Sequence, residues 1–264
     1  MSELITSKNN SKIKLVRSLQ TRRRNREVEK AFVAEGVRLV EEAVSVQWPM
    51  NFLLYDETLS DRGQDLIIRL RSRSQTEIGQ ITPELMQEIS DTETPQGILG
   101  VFKLQSLSLA TKPSFMIIAD QIRDPGNMGT LLRTSEAAGA DGIIITPGTV
   151  DAFSPKVVRA GMGAHFHLPI HSQSWEEIET YLAGIPIFLT EAEGGTPLWE
   201  ANFQQDCALL IGGEAFGATE SGKKLVKNTI TIPMHGRVES LNAAIAAGIV
   251  IAEVLRQRAT QKKA

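Results

Sequence analysis

Five short apolar segments in the second half of the chain place the strongest limit on its fold. Each is rich in β-branched or other aliphatic residues, and together they are 115–119 (FMIIA), 142–146 (GIIIT), 185–190 (IPIFLT), 208–211 (ALLI) and 229–232 (TITI). Segments with helical character separate or follow them at 127–138, 154–162, 175–182 and 241–258. Strands that are apolar throughout and alternate with helices are typical of a parallel sheet covered on both faces. We therefore predict an α/β domain that binds its ligands at the carboxyl ends of these strands.

The first hundred residues predict a smaller α/β domain. Apolar residues recur at helical spacing in 11–19, 36–46 and 62–73, and short strands are expected at 32–35, 52–55 and 98–102. The segment 105–113 (QSLSLATKP) contains few large apolar side chains and ends in proline, so we interpret it as a linker. The predicted domains are therefore 1–106 and 112–264.

Positive charge is concentrated at the amino-terminal end of the chain. Residues 1–30 contain nine Lys or Arg and three acidic residues, whereas the rest of the chain contains 19 basic and 28 acidic residues. This asymmetry favours a polyanionic partner for the amino-terminal region. The charge pattern alone is equally compatible with a basic helix face that is only solvated.

The composition argues against several classes of protein. Cys207 is the single cysteine, so internal disulfides and cysteine-rich zinc sites are excluded, and we expect it to be a small buried side chain. The sequence has no apolar run long enough to span a membrane and no apolar segment typical of a secretory signal, which predicts a soluble, cytoplasmic protein. His165, His167 and His171 lack a carboxylate or cysteine partner at useful spacing, so no metal site is predicted.

The loop after the first apolar strand reads DQIRDPGNMGTLLRT, residues 120–134. Pro125 and Gly126 predict a turn, and Asn127 is expected to cap the helix that follows. Helical side chains lean toward the amino terminus, so Arg133 should cover the turn at Gly129 and point toward the start of the helix. An ordinary surface arginine on a capped helix is the alternative interpretation.

The second loop, LLIGGEAFGATE, spans residues 209–220. Gly212 and Gly213 end a strand and allow a close approach to the backbone, and Glu214 follows directly. The stretch from Gly217 to Lys224 nearly fits the phosphate-binding pattern G-x-x-x-x-G-K-[ST]. However, Lys224 stands where that pattern needs a hydroxyl, which disfavours a P-loop hydrolase.

The third loop, IPMHGRVESLN, spans residues 232–242 and precedes a helix made mostly of small residues. Pro233 ends the strand, and Ser240 is expected to cap the helix. The alanines and glycine at 243–248 would let this helix pack close to another backbone. Asn242 is left without a structural reason, because an amide is unfavourable in an apolar first turn.

In this order, the three loops resemble the SpoU (TrmH-like) branch of the SPOUT RNA 2′-O-ribose methyltransferases. Asn127-x-Gly129-x-x-x-Arg133 matches the first family motif and Gly212-x-Glu214-x-x-Gly217 the second. Residues 232–236 with 240–242 (SLN) match the third. Residues 12–14, 32–36 and 94–97 resemble the substrate-binding domain of the family, which is similar to α/β RNA-binding proteins of the ribosome. Phe216 departs from the second motif, because this position is often small or polar.

The resemblance implies a fold, a cofactor and an assembly. The carboxy-terminal domain is expected to be a SPOUT domain with a deep trefoil knot, S-adenosyl-L-methionine is the expected cofactor, and the protein is expected to form a homodimer. The implied cofactor-binding residues are Thr190, Gly212, Gly217, Ile232, Met234 and Leu241. The implied catalytic residues are Arg133, Asn127, Ser240, Asn242 and Glu214. The residues expected to bind RNA are Lys12, Lys14, Arg22, Arg23 and Arg24.

The implied reaction is metal-free transfer of a methyl group to a ribose 2′-hydroxyl of RNA. The additional amino-terminal domain favours ribosomal RNA of the large subunit, and tRNA is the alternative substrate. A non-catalytic RNA-binding protein of the same fold would be expected to lack Arg133 or Asn242, and both are present. Arg133 could act through an RNA phosphate or stabilise the developing alkoxide. Glu214 could balance the charge of Arg133 or hold the loops together.

Overall fold

A computed structural model describes residues 4–73, 77–214 and 217–261, and the chain divides into two compact units. The first unit contains the chain up to Gln105 together with Phe153–Phe166, and the second contains Ser106–Ala152 and the chain from His167 onward. The predicted domain limits place 153–166 in the second domain, whereas in the structure this segment packs within the first unit. The domain limits of 1–106 and 112–264 otherwise stay a prediction.

The first unit is an α/β structure built on a mixed four-stranded sheet. Up to its last strand, its elements are α1 Ser11–Thr21, α2 Arg23–Glu29, β1 Ala31–Glu35, α3 Val37–Ser45, β2 Met50–Tyr55, α4 Asp61–Arg73, β3 Glu77–Gln80, α5 Pro83–Ile89 and β4 Ile98–Lys103. The strand order is β1-β4-β2-β3, with only β2 and β3 parallel. Ile13, Val16 and Leu19 recur at helical spacing on α1 and are buried in the core of this sheet.

Aromatic packing explains why the segment 153–166 belongs to the first unit. The rings of Phe153 and Phe166 lie 5.2 Å and 6.1 Å from that of Phe32 on β1, measured between centroids. Phe166 also contacts Trp48 and Phe102, at 5.3 Å and 5.7 Å. Such tilted and edge-on pairs contribute about 0.5–1.5 kcal/mol each beyond the area that they bury.

The second unit contains the parallel sheet that the apolar segments predict. The remaining elements of the chain are β5 Phe115–Asp120, α6 Pro125–Ala137, β6 Gly142–Ile145, α7 Pro155–Gly161 of the first unit, β7 Ile170–Ser172, α8 Trp175–Tyr181, β8 Ile187–Glu191, β9 Thr196–Pro197, β10 Cys207–Gly212, α9 Glu220–Leu225, β11 Asn228–Thr231 and α10 Ala243–Gln261. The strand order is β7-β6-β5-β10-β8-β11-β9, and every pair is parallel. The predicted α/β fold class is confirmed, while the trefoil knot stays a prediction.

Strand register brings the three sequence motifs to one edge of this sheet. Asp120 at the end of β5 pairs with Gly212 at the end of β10, and Glu191 at the end of β8 pairs with Thr231 at the end of β11. Because β10 also pairs with β8, these four strand ends are neighbours. The loops that follow them therefore start side by side, as the rule for parallel sheets predicts.

The segment predicted to be a linker is attached to the second unit along much of its length. The Leu107 carbonyl accepts a hydrogen bond from the His171 ring at 2.7 Å, and the Ala110 carbonyl accepts one from the Tyr181 hydroxyl at 2.9 Å. Leu109 packs against the core of the parallel sheet. Contacts of Leu107, Leu109 and Ala110 therefore hold this segment against the rest of the second unit. The small number of large apolar residues in 105–113 gave no indication of this packing.

The last helix is fixed to the start of the parallel sheet by Arg258. Its guanidinium donates to the carbonyls of Phe203, Gln205 and Ser114, at 3.1, 2.8 and 2.8 Å. It also lies 5.1 Å above the Phe115 ring and contacts the buried Cys207 sulfur.

Burial raises the pKa of the Cys207 thiol to about 11, although the neighbouring guanidinium acts in the opposite direction. The prediction of a small buried cysteine is confirmed.

The described residues contain neither a cluster that could hold a metal ion nor a helix that could span a membrane. Within the ranges 4–73, 77–214 and 217–261, no three His, Cys, Asp or Glu side chains lie together in a way that could hold a metal ion. No helix of the described residues is long and apolar enough to cross a bilayer.

Candidate active site

A cavity of about 450 Å³ lies at the carboxyl edge of the parallel sheet. It is formed by the loops that follow β8, β10 and β11 and by the first turns of α10. All six residues predicted to bind the cofactor line it: Thr190, Gly212, Gly217, Ile232, Met234 and Leu241. This volume is within the range of sites that hold small molecules, about 300–1,000 Å³.

The glycines of the second motif fold the chain back on itself. Gly213 and Gly217 exchange two backbone hydrogen bonds, of 3.1 Å and 3.0 Å, and Gly217 has a φ of +65°. A Cβ atom at Gly212 would lie 2.4 Å from the Ala218 nitrogen, so only glycine fits there. The close approach expected at these glycines is therefore made by the protein's own backbone. Phe216 lies outside the described residues.

This loop geometry also argues against the phosphate-binding alternative. A P-loop cradles phosphate with free backbone N–H groups. The Gly217 N–H, which would be the first of them here, instead donates to the Gly213 carbonyl. Lys223, the counterpart of the P-loop lysine, forms an exposed ion pair with Glu220 at 3.3 Å.

The buried side chain of Asp120 holds the loop of the second motif in place. Its side chain is fully buried, and one carboxylate oxygen accepts from the Thr146 hydroxyl at 2.7 Å. The other accepts from the Thr219 backbone N–H at 2.6 Å. Thr219 in turn caps α9 through the Gly222 N–H. Asp120 thus ties the ends of β5 and β6 to the loop of the second motif. This structural role of Asp120 was not predicted, although a lone acidic residue at the end of an apolar strand was a signal for it.

A chain of amide and carboxylate groups joins the three motifs. The Asn242 side-chain amide donates to Asn127 Oδ1 at 2.9 Å, and the Asn127 amide donates to Glu214 Oε1 at 2.6 Å. The other Glu214 oxygen accepts from the Arg123 backbone N–H at 3.5 Å. A carboxylate only accepts, so Asn127 must present its NH₂ group to Glu214 and its oxygen to Asn242. The orientation of all three groups is therefore determined.

Two predicted helix caps are wrong, and in each case a nearby residue competes better. Asp124 caps α6 by accepting from the Asn127 backbone N–H at 2.8 Å, which leaves the Asn127 side chain free for the amide chain. Asn242, not Ser240, caps α10: its Oδ1 accepts from the N–H groups of Ala244 and Ile245 at 3.0 Å and 3.2 Å. Asn242 thus combines a structural cap with a contact between motifs, which explains its polar side chain.

Arg133 and Ser240 differ from the other predicted catalytic residues. Ser240 lines the cavity, and its exposed hydroxyl has no hydrogen-bond partner within the described residues. Arg133 lies on α6, is exposed, does not line the cavity, and has no hydrogen-bond or ion-pair partner in the described parts of the chain. Glu214 contacts Asn127 rather than Arg133, so its geometry agrees with the alternative in which it holds the loops together. The catalytic roles of these residues stay predictions.

The cavity fits the cofactor that the family resemblance implies. Thr190 Oγ1 is buried at the cavity and has no hydrogen-bond partner among the described residues, a situation that costs about 1–3 kcal/mol unless a ligand supplies one. The apolar side chains of Ile232, Met234 and Leu241 offer contacts for an adenine ring. The charged side chains of the lining are both acidic, Glu191 and Glu214, and suit a ligand that carries positive charge.

Family comparison agrees with this geometry. Residues 114–252 match the SpoU rRNA Methylase family, and residues 10–100 match the MRM3-like substrate binding domain. The chain belongs to the SpoU rRNA methylase family. The predicted family and the presence of its substrate-binding domain are thereby confirmed.

Several SpoU relatives are similar over nearly the whole chain. The 23S rRNA (guanosine(2553)-2′-O)-methyltransferase of Bacillus subtilis is 32% identical over 94% of this chain and 97% of its own. The 23S rRNA (uridine(2479)-2′-O)-methyltransferase of Streptomyces viridochromogenes is 33% identical over 88% and 85%. A crystal structure of a SpoU methyltransferase from S. viridochromogenes in complex with AdoMet superposes with a TM-score of 0.85, at 30% identity and over 95% of this chain and 100% of that one.

Replacing Thr190 with valine should separate cofactor binding from stability. Valine removes the unpartnered hydroxyl without changing the size of the side chain, so the free protein should be as stable as the wild type or slightly more so. The affinity for S-adenosylmethionine should fall about fivefold to tenfold, because one hydrogen bond is lost. Calorimetric titration and urea unfolding measure the two effects, with Thr190→Ser as the control that keeps the hydroxyl. Wild-type affinity in the valine variant would show that the Thr190 hydroxyl does not bind the cofactor.

The two functions of Asn242 can also be separated. Asn242→Asp keeps an oxygen that caps α10 but cannot donate to Asn127, so its stability should stay within about 0.5 kcal/mol of wild type. Asn242→Ala loses the cap as well and should cost about 1 kcal/mol. Both variants should slow methyl transfer about fivefold to tenfold, because the loss of one fixed hydrogen bond corresponds to about 1–1.5 kcal/mol. An Asp variant with full activity would show that the amide chain has no role in the reaction.

Proposed function

We propose that this SpoU protein transfers a methyl group from S-adenosyl-L-methionine to a ribose 2′-hydroxyl of ribosomal RNA of the large subunit. The observation that carries the proposal is the convergence of all three family motifs on one cavity with an unsatisfied hydroxyl and acidic lining. The family match and the AdoMet-bound relative support both the enzyme class and the cofactor. We also propose that it acts in the cytoplasm.

Ribosomal RNA is favoured over tRNA by the extent of the similarity. The two curated relatives that name 23S rRNA match both units of the chain, including the amino-terminal region. Their names give a guanosine in one case and a uridine in the other at nearly the same identity to this chain. Similarity therefore supports the class of RNA and leaves the nucleotide open.

The reaction needs alignment and a proton acceptor rather than a metal. The sulfonium of the cofactor supplies an electrophilic methyl group. The protein must hold the 2′-oxygen in line with that group and favour loss of its proton. The chain of Asn242, Asn127 and Glu214 provides fixed dipoles at the cavity edge, and the Ser240 hydroxyl is available to a ribose. A guanidinium has no lone pair with which to accept a proton, so Arg133 would instead stabilise the developing alkoxide or an RNA phosphate.

The amino-terminal cations divide into two groups in the structure. Lys12 forms an ion pair with Glu77, and Arg23 forms one with Glu27 at 2.7 Å. Lys14, Arg22 and Arg24 are exposed and have no ion-pair partner among the described residues. All five stay candidates for RNA binding, and the three unpaired side chains should contribute most because they lose no partner when they bind phosphate.

A homodimer is supported by an exposed apolar stripe on α10. Ile245, Gly248, Ala252 and Leu255 recur at three- and four-residue spacing, and Ile245 and Leu255 are 55% and 40% exposed. A Cβ atom at Gly248 would meet no atom within 4 Å, so packing inside this chain does not require glycine there. A second copy packed on this stripe would bury its apolar area and use the space at Gly248.

The proposed function is tested by methyl incorporation from labelled S-adenosylmethionine into total rRNA, total tRNA and pre-ribosomal RNA. The wild type should label rRNA, and Arg133→Ala should do so at least about 100-fold more slowly, the usual effect of removing one group that stabilises a developing charge. Because Arg133 does not line the cavity, cofactor affinity should not change.

The matched control for this experiment is Lys223→Ala. A P-loop enzyme would lose its activity in this variant, whereas the methyltransferase should retain it, because Lys223 only contacts an exposed glutamate. Labelling of tRNA alone would reject the proposed substrate and leave the chemistry intact. Absence of both labelling and cofactor binding in the wild type would reject the methyltransferase assignment.

Neutralising Lys14, Arg22 and Arg24 together by glutamine should weaken RNA binding. Up to three phosphate contacts would be lost, so the slope of log affinity against log salt concentration should decrease by about 2–3. The control variant Lys12→Gln with Arg23→Gln should change the slope less, because each cation already has an acidic partner. Fluorescence anisotropy with an rRNA fragment over a salt series measures both. Equal slopes for the triple variant and the wild type would exclude this surface from binding RNA.

A further inference from the structure

Glu191 occupies a position in the cavity that no family motif covers. It is the last residue of β8, and its backbone is fixed by pairing with Thr231 of β11. Its side chain lines the cavity next to Thr190. A Cβ atom at Gly217 would lie 3.8 Å from Glu191 Oε2, so the carboxylate faces the second motif across a space that glycine leaves open.

Within the described part of the chain, the Glu191 carboxylate is unpartnered. Its side chain is half-buried, yet it forms no hydrogen bond or ion pair with any described residue. The second carboxylate of the lining differs, because Glu214 already accepts from Asn127 at 2.6 Å. Removing a carboxylate from water without a donor is unfavourable, and a donor supplied by a ligand would offset that loss.

The charge of the lining indicates which ligands this carboxylate suits. No lysine or arginine is among the described residues that line the cavity, and its charged side chains are Glu191 and Glu214. An acidic, half-enclosed cavity favours cationic ligands and hydrogen-bond donors and disfavours phosphates. S-adenosylmethionine has a sulfonium, an ammonium group and two ribose hydroxyls, so it offers both kinds of group.

We propose that Glu191 is a cofactor-binding residue whose carboxylate accepts hydrogen bonds from, or pairs with, the donor and cationic groups of S-adenosylmethionine. This inference rests on the proposed function and adds a charged acceptor, unpartnered among the described residues, to a set of backbone, hydroxyl and apolar contacts. It also gives the cavity a reason to be acidic. Hydrogen bonds to a charged group are stronger than neutral ones, so their loss should be visible in affinity.

The test is calorimetric binding of S-adenosylmethionine to the full-length protein without RNA. Glu191→Gln keeps the size of the side chain and removes its charge, and the affinity should fall about tenfold or more. Glu191→Ala should lose at least as much. Glu193→Gln is the matched control, since Glu193 is exposed on the same loop and does not line the cavity, and it should bind as the wild type does. The Gln variant should unfold at no lower temperature than the wild type, because the carboxylate that it loses contacts no partner among the residues that the structure describes.

Two further ligands identify the group that Glu191 recognises. S-adenosylhomocysteine lacks the sulfonium charge, and 5′-methylthioadenosine lacks the amino-acid part but keeps both ribose hydroxyls. Equal losses for all three ligands assign a donor of the shared adenosine part, either a ribose hydroxyl or the adenine amino group. Losses confined to the two amino-acid-bearing ligands assign the ammonium, and a loss confined to S-adenosylmethionine assigns the sulfonium.

The outcome that overturns the inference is wild-type affinity of Glu191→Gln and Glu191→Ala for all three ligands. That result would leave the proposed function standing, since the wild type would still bind the cofactor. A wild-type protein that binds none of the three ligands would instead reject the proposed function, and this inference with it.

Discussion

The buried carboxylate of Asp120 is the contact on which the arrangement of the site depends. Its two oxygens accept from Thr146 and Thr219, which belong to different loops at the same edge of the sheet. Without this bridge, the buried side of this loop would lose its side-chain anchor, and the turn from Gly213 to Gly217 and the exposed contacts of Glu214 would remain. A fully buried carboxylate is tolerated because both oxygens have donors, and that requirement fixes the loop position closely. The backbone then approaches so tightly that Gly212 and Gly213 accept no side chain.

The hydrogen-bonded chain of Asn242, Asn127 and Glu214 fixes the direction of each side-chain dipole at the cavity edge. Glu214 can only accept, so each amide along the chain has one allowed orientation. Asn242 is the first residue of this hydrogen-bonded chain. Its side-chain oxygen caps α10, and its NH₂ group donates to Asn127. One residue therefore couples the start of a helix to the geometry of the site. A cofactor or ribose that binds here would meet dipoles already oriented, which reduces the reorganisation needed during the reaction.

The sequence predicts five of the seven strands of the parallel sheet, because strands buried on both faces have apolar residues at nearly every position; the short edge strands β7 and β9 were not predicted. β5, at Phe115–Asp120, is buried throughout, and its predicted segment is one residue shorter. Helix starts are harder, because Asp124 and Asn127 are both good caps and only the tertiary contact of Asn127 with Glu214 decides between them. The packing of Phe153 and Phe166 in the first unit depends on contacts with Phe32, far away in sequence, which no local pattern encodes. Glu191 was missed for the same reason: a glutamate at a strand end is ordinary until the cavity around it is visible.

Opposite charges on the two units match the two ligands that the proposed reaction requires. RNA is a polyanion, and unpaired cations lie at the amino-terminal end of the first unit, at Lys14, Arg22 and Arg24. The cofactor carries positive charge, and the cavity of the second unit presents Glu191 and Glu214 without a lysine or arginine among its described lining residues. An acidic cavity would repel the RNA backbone, so phosphates would not compete for the cofactor slot. The small net charge of the chain, -3, is therefore the sum of a basic region suited to RNA and an acidic cavity suited to the cofactor.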